Sequence, residues 1–261
     1  MTSYDYIIVG GGSSGCVLAN RLSENPAHKV LLIESGRRDA DPFIHIPATF
    51  FKVLEKGIDV HGYVSEPEKG LNGRPQIVPQ GNVIGGGSSI NAMIYMRGHP
   101  QDYRDWAAAA GADWDWPRVR AIFKDMEDNR AITDDHHGQG GPLTVSNPRQ
   151  PNPLSRDFVR AGAECQIPVN PDFNGAGQDG VGLYQVTQRV GRRFSAARAF
   201  LEPALHRPNL TLIPKAQVHR VLFEGRRAVG VTLATRELRL REGGEVILSG
   251  GAINSPQLLM L

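Results

Sequence analysis

The stretch that decides the fold is YIIVGGGSSG, residues 6–15, close to the start of the chain. Four apolar residues run directly into glycines, and residues 14–22 then carry apolar side chains at helical spacing. A second apolar run follows at residues 29–33. Two apolar strands joined by a helix predict a parallel βαβ unit buried on both faces, which is a Rossmann-type opening.

The turn itself matches the motif G-x-G-x-x-G through Gly10, Gly12 and Gly15. The three glycines make the turn, let a pyrophosphate approach the backbone, and pack helix against strand. The helix that begins near Ser14 directs its positive end at the same ligand. Glu34, at the end of the second strand, is suitably placed to bind ribose hydroxyls. Together these residues predict a dinucleotide site.

Other interpretations of this stretch stay open at this point. The glycines could serve tight packing alone. Arg37 and Arg38 would suit a 2′-phosphate, but Glu34 would repel that phosphate, so we interpret both arginines as solvated loop charges. Residues 11–15 also fit the G-x-S-x-G nucleophile elbow of serine hydrolases, with Ser13 as the nucleophile. The elbow leaves the acidic residue without a role, so dinucleotide binding is the better interpretation.

Beyond this opening, loop-rich and regular stretches alternate. Residues 37–79 are rich in proline, glycine, aspartate and asparagine taken together, with only brief apolar pieces, which predicts an extended excursion. We predict helices at residues 100–110 and 117–129, a half-exposed strand at residues 181–190 and a last helix from Pro256. Short strands separated by turn signals predict an antiparallel meander at residues 210–213, 218–223, 229–233, 238–240 and 246–248. The predicted fold class is α/β, with a parallel sheet, a meander and part of a second domain.

Composition narrows the classes of function. Lysine and arginine number 29 against 27 for aspartate and glutamate, without a basic stretch that interleaves aromatics, so we expect no nucleic-acid partner. The two cysteines, Cys16 and Cys165, lie far apart, which fits a reducing compartment. Neither a signal peptide nor a transmembrane segment is apparent, so we expect a cytoplasmic protein whose contact with the inner membrane, if any, is peripheral.

No metal site is predicted. His136 and His137 are adjacent, and adjacent residues rarely point at one ion. We expect no set of ligands to gather around them, so we interpret the pair as part of a polar loop. Cys16 lies in the first turn of the predicted helix, where we interpret it as a small packing residue.

A second glycine-rich loop, GNVIGGGSSINAMIYMRG, occupies residues 81–98 and leads into an apolar segment. Small residues of this kind let a planar ligand lie against the backbone. The loop closely resembles the first signature of the glucose-methanol-choline (GMC) oxidoreductases, and GAINSPQLLML at residues 251–261 resembles the start of their second signature. Motifs at residues 72–74, 97–103 and 195–201 are most similar to those of the choline dehydrogenase and aliphatic alcohol dehydrogenase branch. The resemblance covers the whole chain.

This resemblance implies a noncovalent FAD cofactor, because some relatives attach FAD through a histidine at the position of Ile90. It also implies an FAD domain at about residues 1–36, 80–135 and 195–261 and part of a substrate domain at about 150–194. The implied cofactor contacts are Gly10, Gly12, Ser14 and Gly15 at the pyrophosphate, Glu34 at the ribose, Val218 at the adenine, and Val83, Gly86, Asn91, Ala92, Met93 and Ile94 on the flavin side.

The implied function is FAD-dependent oxidation of an alcohol, either primary aliphatic or choline-like, to the aldehyde. Hydride would pass to flavin N5, and a quinone or another carrier would take the electrons. The family's catalytic histidine is expected beyond Leu261, in a C-terminal half absent from this chain, so no catalytic residue is named. The alternatives are an FAD-binding fragment without turnover, a nicotinamide-dependent dehydrogenase and a serine hydrolase.

Overall fold

The computed structural model describes residues 3–261, which divide into two compact units. Unit 1 comprises the residues up to 92 together with 195–261, and unit 2 comprises Met93–Phe194. The FAD domain implied by the family resemblance includes residues 93–135, which cluster with unit 2 in the structure, and its bounds remain a prediction. Backbone pairing accounts for the difference, because Ile94 bridges Val186 inside unit 2.

Unit 1 is formed by two segments of the chain, and unit 2 by the segment between them. The first part of unit 1 contains β1 (Ser3–Val9), α1 (Ser13–Leu22), β2 (Val30–Ile33), α2 (Pro42–His45), α3 (Phe50–Glu55), β3 (Val60–Val64), β4 (Ile77–Gly81) and α4 (Gly87–Ile90). Unit 2 contains α5 (Pro100–Ala110), α6 (Trp116–Met126), β5 (Glu127–Asn129), β6 (Leu143–Val145), α7 (Pro153–Glu164), β7 (Gln188–Arg189) and β8 (Arg192–Arg193). Unit 1 then resumes with α8 (Glu202–Ala204), β9 (Leu210–Ile213), β10 (Arg220–Glu224), β11 (Arg227–Thr232), β12 (Glu237–Leu248) and α9 (Gly251–Met260).

A six-stranded sheet in the order β10-β11-β12-β1-β2-β9 forms the centre of unit 1. β1 pairs in parallel with both β2 and β12, and β2 pairs in parallel with β9. All four residues of β2 are buried, as expected for a strand covered on both faces. The predicted α/β class with a parallel sheet is confirmed.

The predicted meander is present with two changes. β9, predicted as its first strand, instead pairs in parallel with β2 at the other edge of the sheet. β10 pairs antiparallel with β11, and β11 pairs antiparallel with β12. The two last predicted strands form the single strand β12. Gly243 and Gly244, expected to form a turn, lie where the pairing of β12 with β1 skips between Tyr4 and Tyr6. The glycines therefore form a bulge, because Gly243 adopts a φ of 78° that a larger side chain disfavours.

Three further sequence predictions are wrong. Residues 181–190 form isolated bridges and the short β7 instead of one strand. Gln185 alternates with the apolar Tyr184 and Val186, which in a half-exposed strand would direct it to solvent, but it is buried and hydrogen-bonded to Asn129. α6 ends at Met126 because the buried β5 follows directly. α9 begins at Gly251 and keeps Pro256 in its interior. None of the described helices is long and apolar enough to span a bilayer.

Candidate dinucleotide site

A cavity of about 510 Å³ opens at the carboxyl edge of the sheet in unit 1. The last residues of three parallel strands, Val9, Ile33 and Leu248, line it. Ligands of open α/β sheets bind at this edge because the loops after the strands converge there. The position of the cavity is therefore the one that the βαβ opening predicts.

The glycine turn between β1 and α1 forms one wall, and its three glycines have different reasons to be glycine. Gly10 has a φ of 105°, and a Cβ atom there would overlap the main chain of Ser249. A Cβ atom on Gly15 would overlap the carbonyl oxygen of Gly10. Gly12 differs, because a Cβ atom there would meet Gly86 Cα and Ser249 O only at 3.9 and 4.0 Å. Gly12 lines the cavity, so its missing side chain leaves room for a ligand.

Two helices present their N-termini to the same cavity. α1 follows Gly12 and α9 follows Gly250, and both of these residues line the cavity. No side chain caps either helix at these residues, and neither first turn carries an acidic residue. Helix N-termini carry about half a positive charge each and offer unpaired N–H groups. The chain thus provides two positive ends for one anionic group such as a diphosphate.

Glu34 follows β2 and is 6% exposed. Its Oε2 accepts the N–H of Gly11 at 2.6 Å, and its Oε1 accepts the N–H of Gly36 at 2.8 Å. Burial raises the pKa of Glu34 above its usual value, although these two backbone N–H groups oppose the shift. A carboxylate has about four acceptor positions, so Glu34 can accept further hydrogen bonds from ribose hydroxyls at the cavity wall.

The second glycine loop contacts the first one directly. The N–H of Gly85 donates to the carbonyl oxygen of Gly11 at 2.7 Å. Gly86 has a φ of 52°, and a Cβ atom there would lie 2.7 Å from Gly12 Cα. The two loops can approach this closely because residue 86 is glycine and leaves no Cβ atom in the contact. The glycine-rich loop predicted from residues 81–98 therefore shares the cavity with the dinucleotide motif.

The sequence does not predict one wall of the cavity. β3 and β4 form a hairpin within the predicted excursion and contribute His61, Tyr63 and Gln80 to the lining. The hydroxyl of Tyr63 donates to Asn254 Oδ1 in α9 at 2.6 Å. Hairpin and helix are separated by 191 positions in the chain, so only the folded structure reveals this contact.

The structure brings half of the predicted cofactor contacts together. Residues on the cavity wall are Gly10, Gly12, Ser14, Glu34, Gly86 and Val218. Gly15, Val83, Asn91 and Ala92 lie in unit 1 but do not line this cavity, and Val83 is fully buried in a core cluster. Met93 and Ile94 begin unit 2. The cofactor roles of all these residues remain predictions, both on the cavity wall and away from it.

Of the two adjacent histidines, His137 lies in a network of polar side chains in unit 2. His137 is buried, and its ring nitrogens face Glu127 Oε1 and Asp172 Oδ2, each at 2.9 Å. The side chains of Asp134, His137 and Asp172 offer atoms within 4.8 Å of one another. Both ring nitrogens already have hydrogen-bond partners, so we describe a polar network in unit 2. The absence of a metal remains a prediction.

The parallel sheet and the glycine turn at its carboxyl edge define a protein of Rossmann type. Residues 4–261 match the model of the GMC oxidoreductase family, so the chain belongs to that family. The chain is 49% identical to alcohol dehydrogenase [acceptor] from Pseudomonas putida, over 99% of this chain and 48% of that protein. It is 43% identical to mitochondrial choline dehydrogenase from Homo sapiens, over 99% of this chain and 45% of that protein.

Solved structures agree with the family. Pyridoxine 4-oxidase from Mesorbium loti superposes with a TM-score of 0.93 at 37% identity, over 99% of this chain and 51% of that one. An FAD-dependent oxidoreductase from Chaetomium thermophilum gives a TM-score of 0.90 at 30% identity, over 98% of this chain and 47% of that one. This chain spans about half the length of the relatives that it matches.

Proposed function

We propose that this chain binds FAD noncovalently in the candidate dinucleotide site. The observation that carries the proposal is the cavity wall, where two uncapped helix N-termini, an open position at Gly12 and the carboxylate of Glu34 meet. The helix ends and glycines would hold the diphosphate, and Glu34 would hold the ribose hydroxyls. Val218, on the same wall, would face the adenine through its backbone.

The chemistry of Ile90 supports noncovalent binding, because it excludes attachment at this position. Its side chain is a saturated hydrocarbon, 5% exposed in the core cluster with Val83, and it offers no atom that bonds covalently to flavin. Gly86, Asn91, Ala92, Met93 and Ile94 would contact the flavin half of the cofactor through the resemblance of residues 81–98 to the family signature.

For the reaction, we propose oxidation of an alcohol to an aldehyde, with a primary aliphatic or choline-like alcohol as substrate. The names of the Pseudomonas putida and human relatives support both substrate classes. When bound, FAD supplies a hydride acceptor at flavin N5. The same relatives are dehydrogenases, which supports a quinone or another carrier as the electron acceptor. Membership in an oxidoreductase family favours this function over the serine hydrolase.

A second candidate is FAD binding without turnover by this chain alone. The observation that favours it is the length of the chain, which spans about half of its relatives. Anaerobic addition of a primary alcohol to the flavin-loaded chain separates the two candidates, because turnover bleaches the flavin absorbance and binding alone leaves it unchanged.

The proposed binding mode predicts which fragment of FAD, ADP or FMN, competes with FAD for the site. The apoprotein is titrated with FAD, and the bound FAD is then challenged with ADP or with FMN. Because the cavity offers its positive helix ends and Glu34 to the adenosine diphosphate half, we expect ADP to displace FAD and FMN to leave it bound. Displacement by FMN without displacement by ADP would contradict the proposed binding mode. NADH displacing FAD more readily than ADP would favour a nicotinamide cofactor.

A further inference from the structure

The hairpin of β7 and β8 in unit 2 ends in a turn that its sequence does not favour. Arg189 pairs with Arg192, so the turn consists of Val190 and Gly191 alone. Val190 has a φ of 52° and Gly191 a φ of 72°, as in a type I′ turn. Asparagine, aspartate and glycine adopt this conformation readily, whereas a β-branched residue such as valine is strained there.

Burial of the Val190 side chain does not offset this strain. The side chain is 87% exposed, the largest exposed fraction among the large apolar side chains that the structure describes. A side chain so exposed gains almost nothing from the hydrophobic effect within unit 2. Strained residues persist mainly where function requires them, so Val190 indicates a contact outside the chain.

Three arginines surround this turn. Arg189 and Arg192 are exposed at directly opposite positions of the paired strands, where like charges repel. A Cβ atom on Gly191 would lie 3.2 Å from Nη1 of Arg149, so the guanidinium of Arg149 lies against the turn. None of the three forms an ion pair with another described residue, whereas Arg130 in the same unit does. Positive charge is therefore concentrated here without compensation.

Hydrogen bonds at the base of the hairpin hold these side chains together. The N–H of Phe194 donates to the carbonyl oxygen of Thr187 at 2.9 Å. The hydroxyl of Ser146 donates to the carbonyl oxygen of Gln188 at 3.1 Å, which ties the hairpin to the segment that contains Arg149. The surface that results, here named the hairpin tip, consists of Arg149, Arg189, Val190, Gly191 and Arg192.

An exposed apolar side chain among arginines suits a partner that is negatively charged at its surface and apolar just beneath it. An anionic lipid membrane has both properties, because its phosphates attract arginines and its acyl chains accept apolar side chains. The long stem of arginine can lie along the apolar layer while the guanidinium stays among the phosphates. Single-stranded nucleic acid is instead bound by arginines together with aromatic side chains that stack on bases, and the apolar residue of the hairpin tip is aliphatic.

We propose that the hairpin tip docks unit 2 on an anionic lipid surface. Val190 enters the boundary of the acyl chains, and Arg149, Arg189 and Arg192 contact lipid phosphates. The choice of a lipid partner rests on the proposed function in one respect, because a lipid-soluble quinone acceptor would be reached from the membrane surface. The strain at Val190 and the repulsion between the arginines are then offset in the bound state, by contacts that the chain itself does not supply.

The first test measures cosedimentation of the full chain with vesicles. We expect binding to vesicles of phosphatidylglycerol and phosphatidylcholine in equal parts, weakening as salt is raised, and no binding to phosphatidylcholine alone. Replacing any one of Arg149, Arg189 or Arg192 with serine should weaken binding by about fivefold. Arg104→Ser removes an exposed arginine of α5 and should bind like the wild type. An equal loss in Arg104→Ser, or no binding of the wild type, would overturn the proposal.

The second test separates a lipid contact from a role in the fold. Because asparagine is preferred before glycine in a type I′ turn, Val190→Asn should raise the urea midpoint of unit 2 or leave it unchanged. The same substitution should weaken vesicle binding by about fivefold or more, since its side chain is polar. Val190→Leu keeps an apolar side chain and should bind vesicles like the wild type. Unchanged vesicle binding in Val190→Asn, at any urea midpoint, would refute insertion of this residue.

The third test decides the class of partner with polyglutamate, a soluble polyanion. We expect the chain to bind polyglutamate more weakly than the anionic vesicles, because polyglutamate has no apolar layer. Equally tight binding to both, unaffected by Val190→Asn, would assign the arginines to an acidic protein and contradict a lipid partner. None of these measurements needs FAD. Failure of the chain to bind FAD would refute the proposed function, while the vesicle results would still decide the role of the hairpin tip.

Discussion

Replacing Glu127 with glutamine tests the buried network with almost no change in shape. Glu127 is fully buried and accepts hydrogen bonds from Arg97, His137, Gly138 and Asn129. Burial raises the pKa of Glu127, but the bonds from His137, Gly138 and Asn129 and the charge of Arg97 outweigh burial and lower it below its usual value. Glutamine removes the negative charge while the guanidinium of Arg97 and the ring of His137 stay buried.

The expected loss follows from leaving these cations without their shared anion. Removing one partner of a buried ion pair costs about 3–5 kcal/mol. A domain is stable by about 5–15 kcal/mol, so Glu127→Gln removes a large part of the stability of unit 2. With a urea m value of about 2 kcal/mol/M, the midpoint of unfolding falls by about 2 M.

Tryptophan fluorescence during urea unfolding is the assay, because all 3 tryptophans, Trp106, Trp114 and Trp116, lie in unit 2. Glu164→Gln in α7 is the control, since that side chain is 73% exposed and its change is expected within about 0.5 kcal/mol. A loss below about 1 kcal/mol in Glu127→Gln would refute the reasoning. In the wild type, the contribution of Glu127 is lost as pH falls through its lowered pKa, and that of His137 as pH rises through its raised pKa.

Two further predictions follow from buried side chains in unit 1. Because Ile90 offers no atom for a covalent bond, acid precipitation of the FAD-loaded protein is expected to leave all flavin in the supernatant, and a yellow pellet would contradict noncovalent binding. Cys16 is fully buried and burial raises its pKa to about 12, whereas Cys165 is exposed, so a thiol reagent is expected to label Cys165 alone in the native protein. Labelling of Cys16 before unfolding would show that α1 does not pack as described.

The sequence predicts the centre of unit 1 well because local signals and tertiary structure agree there. The apolar ends of β1 and all of β2 are buried, and Gly10 and Gly15 have a conformation or a contact that requires glycine. In unit 2 the agreement is partial, because α5 has the predicted bounds while the stretch 181–190 does not form the predicted strand. The alternation of apolar and polar residues predicts that Gln185 faces solvent. It is instead buried against Asn129, which lies 56 positions away in the chain.

In the candidate site, too, the sequence predicts local motifs but not contacts between distant segments. Gly10, Gly12 and Glu34 belong to one local motif, so the sequence places them correctly on the cavity wall. Tyr63 and Asn254 meet across the cavity through elements distant in sequence, and no local pattern predicts that contact. His137 is a comparable case, because its burial between Glu127 and Asp172 arises from three separate segments.

The most direct test of the central claim is an FAD titration of Gly12→Ala beside Gly70→Ala. A Cβ atom at either position has no close contact with the protein, but only Gly12 lines the cavity. If the diphosphate lies against Gly12, Gly12→Ala should weaken FAD binding by about tenfold or more, which corresponds to about 1.4 kcal/mol, while Gly70→Ala binds like the wild type. Unchanged FAD affinity in Gly12→Ala would contradict a diphosphate at this turn.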